Sequence, residues 1–229
     1  MPEERRPNTA GGAPTSPRPI ACSGGETRAV IVMGVTACGK SSVGRCIAAL
    51  AGSQWQFIDG DSLHPARNID KMSRGIALDD ADRAPWLARI VATARKLIDT
   101  RDNDSPSGDA PGLDRCATGI VIACSALKRQ YRDQLRAIGP GTRFVHLVGT
   151  KAEIAARMQA REDHFMAPSL LDSQFATLEG TDEESDVLRL DVNESIDTLA
   201  ATAVSLLGLR TDSATAANST MTAEAPSRT

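Results

Sequence analysis

The chain has 229 residues, of which 41% are hydrophobic, and its formal net charge is −3. This length and composition allow one well-filled domain with additional terminal segments. The charge offers no broad cationic surface for nucleic acid or an anionic membrane, and no apolar run approaches the about 20 residues of a membrane-spanning helix.

Both ends of the chain and one internal stretch differ from the rest in composition, because they are rich in Pro, Gly, Ser and Thr. We expect disordered tails at residues 1–27 and 210–229 and a long surface loop at 101–118, which leaves a domain over 28–209. The first segment has no apolar signal core, and the five cysteines show no metal-ligand spacing. These features predict reduced thiols and a cytoplasmic location.

Short β-branched apolar runs alternate with amphipathic stretches along the domain. The predicted strands are residues 28–33, 55–58, 119–123, 143–148 and 187–191. The predicted helices are residues 40–51, 65–73, 80–100, 126–138, 150–161, 168–178 and 194–207. Ser125 is the expected N-cap of the fourth helix, with Arg129 and Arg132 on its exposed side. The alternation predicts an α/β fold with a parallel sheet covered by helices on both faces, and ligands beyond the carboxyl ends of the strands.

The first predicted strand is followed by GVTACGKSS, residues 34–42. The spacing of Gly34, four residues, and then Gly39, Lys40 and Ser41 is that of a phosphate-binding loop between a strand and a helix. Glycines let successive backbone N–H groups point at one anion, and the helix N-terminus adds positive potential. We therefore expect Lys40 to reach the β- and γ-phosphates of ATP and the Ser41 hydroxyl to bind Mg²⁺.

The alternative is an ordinary glycine-rich turn, which the strand before the loop and the helix after it disfavour. The predicted nucleotide-binding residues of this loop are Gly34, Val35, Thr36, Ala37, Cys38, Gly39, Lys40, Ser41 and Ser42.

Two carboxylates, Asp59 and Asp61, directly follow the second predicted strand. Beside a bound triphosphate, one suits the metal shell and the other the acceptor hydroxyl. The alternative is an acidic turn that caps the helix at Pro65. Arg67 and Lys71 lie four residues apart on one helix face, where they either hold an anionic substrate or pair with surface acids.

The segments after the third and fourth strands carry the remaining candidates. Cys124 and Ser125 stand where many nucleotide-hydrolysing motors place an acid, so that role falls to Asp59 or Asp61. Further along, Arg157, Arg161 and His164 lie at a helix end and in the loop after it. Arginines there are typical of a mobile lid over phosphates, at about residues 161–168, and the alternative is a solvated basic helix edge.

Several sequence blocks resemble, in the same order, those of the gluconokinases of the P-loop kinase superfamily. The blocks are MGVTACGKSS, FIDGDSLHPARNIDKMSRGIALDDADRAPWL, CSALKRQYRDQLR and REDHFMAPSLLDSQFATLE. The resemblance implies a five-stranded parallel sheet with a mobile lid and ATP-dependent phosphorylation of D-gluconate to 6-phosphogluconate for the pentose phosphate or Entner–Doudoroff pathway. Family members are often homodimers.

The resemblance also implies roles for individual residues. Lys40, Asp61 and Arg161 resemble catalytic residues, and Arg157 resembles a lid arginine that meets the nucleotide. Asp59 joins Ser41 at the metal, although the roles of the two aspartates are open to exchange. The implied substrate-binding residues are Asp61, His64, Arg67, Lys71, Ser125, Lys128 and Arg132.

The chain departs from the family pattern in three places. Ala37 and Cys38 stand where Gly-Ser is common, Asp163 fills a glycine position of the lid, and the insertion after Arg101 is long. Two alternatives therefore stay open: a shikimate-type small-metabolite kinase, which the HPxxNxxKM segment disfavours, and a nucleotide-binding regulator without catalysis.

Overall fold

The computed structural model describes residues 26–103, 119–159 and 168–209. Nearly all of the predicted tails, most of the 101–118 insertion and nearly all of the predicted lid lie outside these residues. Five parallel strands form one sheet in the order β2-β3-β1-β4-β5. The strands are β1 (Ala29–Met33), β2 (Trp55–Asp59), β3 (Gly119–Ala123), β4 (Thr142–Val148) and β5 (Val187–Asp191). The predicted parallel sheet is confirmed, with strand bounds within one residue of those expected.

The helices surround this sheet in the predicted chain order. They are α1 (Lys40–Ala51), α2 (Ala66–Ser73), α3 (Asp80–Asn103), α4 (Arg129–Arg136), α5 (Lys151–Gln159), α6 (Pro168–Thr177) and α7 (Ile196–Leu206). A short 3₁₀ helix at Gly60–Leu63, which the sequence analysis did not predict, separates β2 from α2. The third helix runs to Asn103, three residues beyond its predicted end.

The start of α4 differs from the prediction. Its N-cap is Lys128, so the expectation that Ser125 caps this helix is wrong. The reason is local: Ala126 has a φ of 45°, in the left-handed region, and this keeps the chain out of the helical path until residue 129. Arg132 was expected on the exposed side of the helix, and this too is wrong, because it is fully buried.

The central strand β1 divides the core into two layers, and all five of its residues are buried. Val30 and Val32 face the layer that includes residues of α1 and α7, whereas Ile31 and Met33 face the layer of α3 and α4. This period-two alternation with both faces apolar is what a strand covered by helices on both sides requires. Because all strands are parallel, their carboxyl ends meet at one edge of the sheet.

Within the described residues, no helix has the length and apolar character needed to cross a membrane.

Candidate active site

The phosphate-binding loop joins the end of β1 to the start of α1, as predicted. Gly39, just before the helix, has φ 101° and ψ 13°, a conformation that glycine adopts at little cost. Ala37 also has a positive φ, 60°, although it carries a side chain. The first N–H groups of α1 have no acceptor within the helix and lie at its positive end, so the loop and helix form an anion site.

The side chains of this loop reach the second strand. The Ser41 hydroxyl donates to Asp59 Oδ2 at 2.9 Å, and Lys40 Nζ donates to the carbonyl of Val35 at 2.8 Å. A hydroxyl and a carboxylate oxygen this close are hard ligands of the kind that Mg²⁺ prefers, and Mg²⁺ typically takes only one or two protein ligands beside substrate phosphates. The pair Ser41 and Asp59 therefore fits the predicted metal position.

The aspartates after β2 lie on the 3₁₀ helix and its cap. Asp59 Oδ1 accepts from the backbone N–H of Asp61 at 3.2 Å, so Asp59 caps this turn while its other oxygen faces Ser41. The alternative of a cap for α2 is wrong, because the N-cap of that helix is Pro65. Gly60 allows the turn to approach the sheet, since a Cβ there would lie 2.4 Å from the carbonyl oxygen of Ala123.

The side chain of Asp61 points away from the 3₁₀ helix and faces solvent. Its side chain is 77% exposed. Loss of hydration to the surrounding protein atoms raises the pKa of Asp61 above its usual value, Lys40 opposes the rise, and the negative charge of Asp59 adds to it. A carboxylate with open access beside Lys40 is suited to accept a proton from a bound hydroxyl.

His64 lies beneath the 3₁₀ helix that carries Asp61, and it is only 7% exposed. Its ring stacks on Trp86 with centroids 4.1 Å apart, and its Nε2 lies 3.9 Å from Asp61 Oδ1. Burial, helped by the positive charge of Arg83, lowers the pKa of His64 to about 4, so the ring is neutral near pH 7. Trp86 is 2% exposed and donates to the carbonyl of Gly60 at 2.7 Å, so it packs beneath the site.

A cavity of about 500 Å³ opens beside the N-terminus of α3. Lys128 and Asp80 both line it and form an ion pair with Nζ and Oδ1 2.7 Å apart, and Tyr131 donates to the same carboxylate. Hydrogen bonds from Lys128 and Tyr131 lower the pKa of Asp80 to about 2. Arg83 links this cavity to the aspartate turn, because it lines the cavity and its charge reaches His64. The lining residues are Leu78, Asp79, Asp80, Ala81, Arg83, Lys128 and Thr177.

The two cations of α2 have different surroundings. Lys71 Nζ lies 2.6 Å from Asp82 Oδ2, whose side chain is only 10% exposed. Arg67 is exposed, and it forms no hydrogen bond or ion pair with another residue in the described ranges. From the sequence, both a substrate role and pairing with surface acids were possible for each of them. Lys71 is therefore paired with an acid, and Arg67 is the more accessible of the two cations.

Arg132 is held inside the domain. Its guanidinium donates to Glu184, with Nη2 2.5 Å from Oε1, and Nη1 donates to the carbonyls of Ala126 and Leu127 at 3.1 Å. The side chain is 0% exposed, and that of Glu184 is 5% exposed. The implied contact between Arg132 and substrate does not fit this position, because the guanidinium faces protein acceptors and not the cleft.

Two further side chains act on the phosphate loop from later elements, Gln174 by a hydrogen bond and Arg157 by its charge. Gln174, in α6, accepts with Oε1 from the backbone N–H of Thr36 at 2.6 Å. Arg157, near the end of α5, donates to the carbonyl of Val192, and its positive charge is felt at the buried thiol of Cys38. Ser125 lies on the other side of the loop, where its carbonyl accepts from Gly34 N–H at 3.3 Å. Arg161, Asp163 and His164 lie outside the described residues.

Sequence reasoning missed Arg83 and Gln174. The charged run DDADRAPW was a usable signal for Arg83, since it forms the start of the long helix α3 and lines the cavity there. For Gln174 the sequence offers no such signal, because the bond to Thr36 joins residues 138 positions apart.

A phosphate-binding loop, a serine–aspartate pair and a second carboxylate at one edge of a parallel sheet define a P-loop kinase.

No protein-family model matches the chain. Curated relatives do: it is 44% identical over 167 residues to the thermosensitive gluconokinase of Escherichia coli, covering 72% of this chain and 80% of that one. It is 42% identical over 165 residues to the gluconokinase of Gluconobacter oxydans, covering 72% and 83%. The crystal structure of a gluconokinase from Sinorhizobium meliloti aligns with a TM-score of 0.64 at 40% identity, over 80% of this chain and 92% of that one. The chain belongs to the gluconokinase family.

Proposed function

We propose that the protein transfers the γ-phosphoryl group of ATP to the terminal hydroxyl of D-gluconate, with Mg²⁺ as the cofactor. The observation that carries this proposal is the convergence of Lys40, the Ser41–Asp59 pair and the exposed carboxylate of Asp61 at one edge of the sheet. Membership of the gluconokinase family supports gluconate as the acceptor.

The nucleotide would bind at the loop between β1 and α1. Backbone N–H groups and the N-terminus of α1 would bind the phosphates, and Lys40 would exchange the carbonyl of Val35 for a phosphate oxygen. Ser41 and Asp59 would hold Mg²⁺, which when bound neutralises charge on the β- and γ-phosphates. Arg157 and Arg161 are the arginines proposed to contact the bound nucleotide.

Asp61 would accept the proton of the acceptor hydroxyl. The assignment rests on the division between the two carboxylates: Asp59 is engaged by Ser41 and by the backbone of the turn, whereas Asp61 faces solvent. Phosphoryl transfer requires little covalent chemistry from the protein, so the main task of these residues is to place the hydroxyl in line with the γ-phosphate.

We take the cavity beside the N-terminus of α3 as the acceptor site, where the gluconate carboxylate needs cations. Arg67 and Lys128 are accessible, and Lys128 could exchange Asp80 for the substrate at little cost, because that ion pair is partly exposed. Arg83 lines the same cavity and extends the proposed set. Lys71 and Ser125 remain proposed substrate-binding residues. Arg132 is no longer proposed as one, because it is buried against Glu184.

The test is ADP release by the purified protein with ATP and Mg²⁺, in the presence of gluconate, shikimate or no acceptor. We expect turnover with gluconate only, and we expect Lys40→Met to abolish it because the phosphate-binding cation is lost. Equal turnover with shikimate would favour a shikimate-type kinase. ATP binding without any acceptor-dependent turnover would favour a nucleotide-binding regulator.

A further inference from the structure

The imidazole of His64 is enclosed by side chains that fix its orientation. The ring stacks on Trp86 with an angle of 15° between the planes, and it contacts Asn68, which is fully buried on the first turns of α2. Trp86 is itself anchored by its hydrogen bond to the carbonyl of Gly60. His64 therefore sits on a rigid base directly under the turn that carries Asp61.

Asn68 determines which nitrogen of His64 carries the proton. Asn68 Nδ2 lies 2.9 Å from the carbonyl oxygen of Asp82, and a carbonyl can only accept, so the NH₂ group of the amide must point this way. The same nitrogen lies 3.3 Å from His64 Nδ1. Its second hydrogen therefore faces Nδ1, which must accept, and a neutral ring then carries its proton on Nε2.

The protonated nitrogen faces the proposed catalytic base. Nε2 lies 3.9 Å from Asp61 Oδ1, about one ångström longer than an ordinary hydrogen bond. The charged groups acting on this ring are Asp61 on the 3₁₀ helix and Arg83 on α3. Burial disfavours the imidazolium form, so the ring presents a neutral N–H donor to the carboxylate rather than a competing cation.

We propose that His64 is a positioning residue for Asp61: its Nε2–H donates to one carboxylate oxygen of Asp61 when substrate binds, and Asn68 holds the ring in the tautomer that can do so. The inference rests on the proposed function, because it takes Asp61 as the group that receives the hydroxyl proton. An exposed carboxylate can rotate freely. A donor fixed by Trp86 and Asn68 would hold one oxygen and direct the other toward the acceptor hydroxyl.

The tautomer can be measured directly, because the chain has only three histidines. Long-range ¹H–¹⁵N correlation spectra of the full chain, with the His64 signals assigned by their loss in His64→Gln, report which ring nitrogen is protonated. We expect the Nε2–H form at pH 7 and a mixture of tautomers in Asn68→Ala. A wild-type ring protonated on Nδ1, or one that is an imidazolium at pH 7, would overturn the inference.

Kinetics separate positioning from packing. His64→Phe keeps an aromatic ring on Trp86 but removes the donor, and it should lower kcat by about 10- to 100-fold, as loss of an orienting partner typically does. The KM for gluconate should change little. His64→Gln, whose amide nitrogen can replace Nε2, should recover most of the lost kcat. Equal kcat losses in both variants, or a change confined to the gluconate KM, would contradict the inference.

A double-mutant comparison tests whether His64 acts through Asp61. In an Asp61→Asn background, His64→Phe should cause little further loss, because the group that it orients is already absent. Losses that multiply would mean that His64 acts independently of Asp61. A wild-type protein with no gluconate-dependent turnover would refute the proposed function instead, while the tautomer measurement would still decide whether Asn68 fixes the ring.

Discussion

The substitution Arg132→Met tests whether this arginine serves the interior or the substrate. The guanidinium has 0% exposure and is bound to Glu184 through two of its nitrogens, with Nε 2.9 Å and 3.0 Å from the two carboxylate oxygens. Removing one partner of a buried ion pair costs about 3–5 kcal/mol, because the other charge is left without compensation.

The structure places the expected cost at the lower end of this range. Glu184 keeps a second partner after the change, since Arg136 Nη2 lies 2.5 Å from its Oε2. The carbonyl of Ala126 would, however, lose its hydrogen bond from Nη1, and the carbonyl of Leu127 would keep only the one from the backbone N–H of Glu179. We therefore expect Arg132→Met to lower the free energy of unfolding by about 3 kcal/mol.

Urea denaturation followed by circular dichroism measures this loss, and Arg129→Met on the exposed side of the same helix is the matched control. The control should change the free energy of unfolding by less than about 0.5 kcal/mol, as exposed positions usually do. Adding Glu184→Gln to Arg132→Met should recover part of the loss, because the unpaired buried charge is removed. A loss below about 1 kcal/mol with a rise in the gluconate KM would refute the structural role and restore Arg132 as a substrate contact.

Three further predictions concern the loop, the base and the buried histidines. Ala37→Gly should raise the free energy of unfolding by up to about 1 kcal/mol in urea titrations, because Ala37 has a φ of 60°, which strains a residue with a side chain. A lower free energy of unfolding would show that the backbone at Ala37 is not strained. Asp61→Asn should lower kcat by about 10²- to 10⁴-fold while ATP affinity by calorimetry stays nearly constant, and an unchanged kcat would exclude Asp61 as the base. Burial lowers the pKa of His64 to about 4 and of His146 to about 3, whereas both protonate near 6.5 in the unfolded chain. Because the unfolded chain binds these protons first, the free energy of unfolding should not depend on these groups above pH 6.5. It should fall as the pH drops from 6.5 toward 4, by at most about 1.4 kcal/mol per pH unit for each histidine. A constant free energy of unfolding between pH 7 and 5 would contradict this prediction.

The sheet and the phosphate loop could be predicted because their signals are local. Each strand is a short apolar run, and the loop has a fixed spacing of glycines and Lys40 between a strand and a helix. Because the carboxyl ends of parallel strands share an edge, the sequence also places Asp59 and Asp61 at the same edge as the loop. The strand order and the hydrogen bond from Ser41 to Asp59 then show that they meet the loop across β3.

The errors arose where distant residues decide the local environment. Arg132 lies in the polar segment RQYRDQLR, and its burial depends on Glu184, which is 52 positions away. The left-handed Ala126 delays the start of α4, although alanine gives no turn signal in the sequence. The position of His64 likewise depends on Asn68, Trp86 and the carbonyl of Asp82, which come together only when α2 packs against α3.

Transfer of the phosphoryl group from ATP to gluconate can be followed by ³¹P NMR of the protein with ATP, Mg²⁺ and D-gluconate. We expect the γ-phosphate signal of ATP to be replaced by a phosphomonoester signal coupled to the protons of the terminal gluconate carbon. The γ-phosphate appearing only as inorganic phosphate, or staying on ATP while the nucleotide is bound, would contradict this expectation.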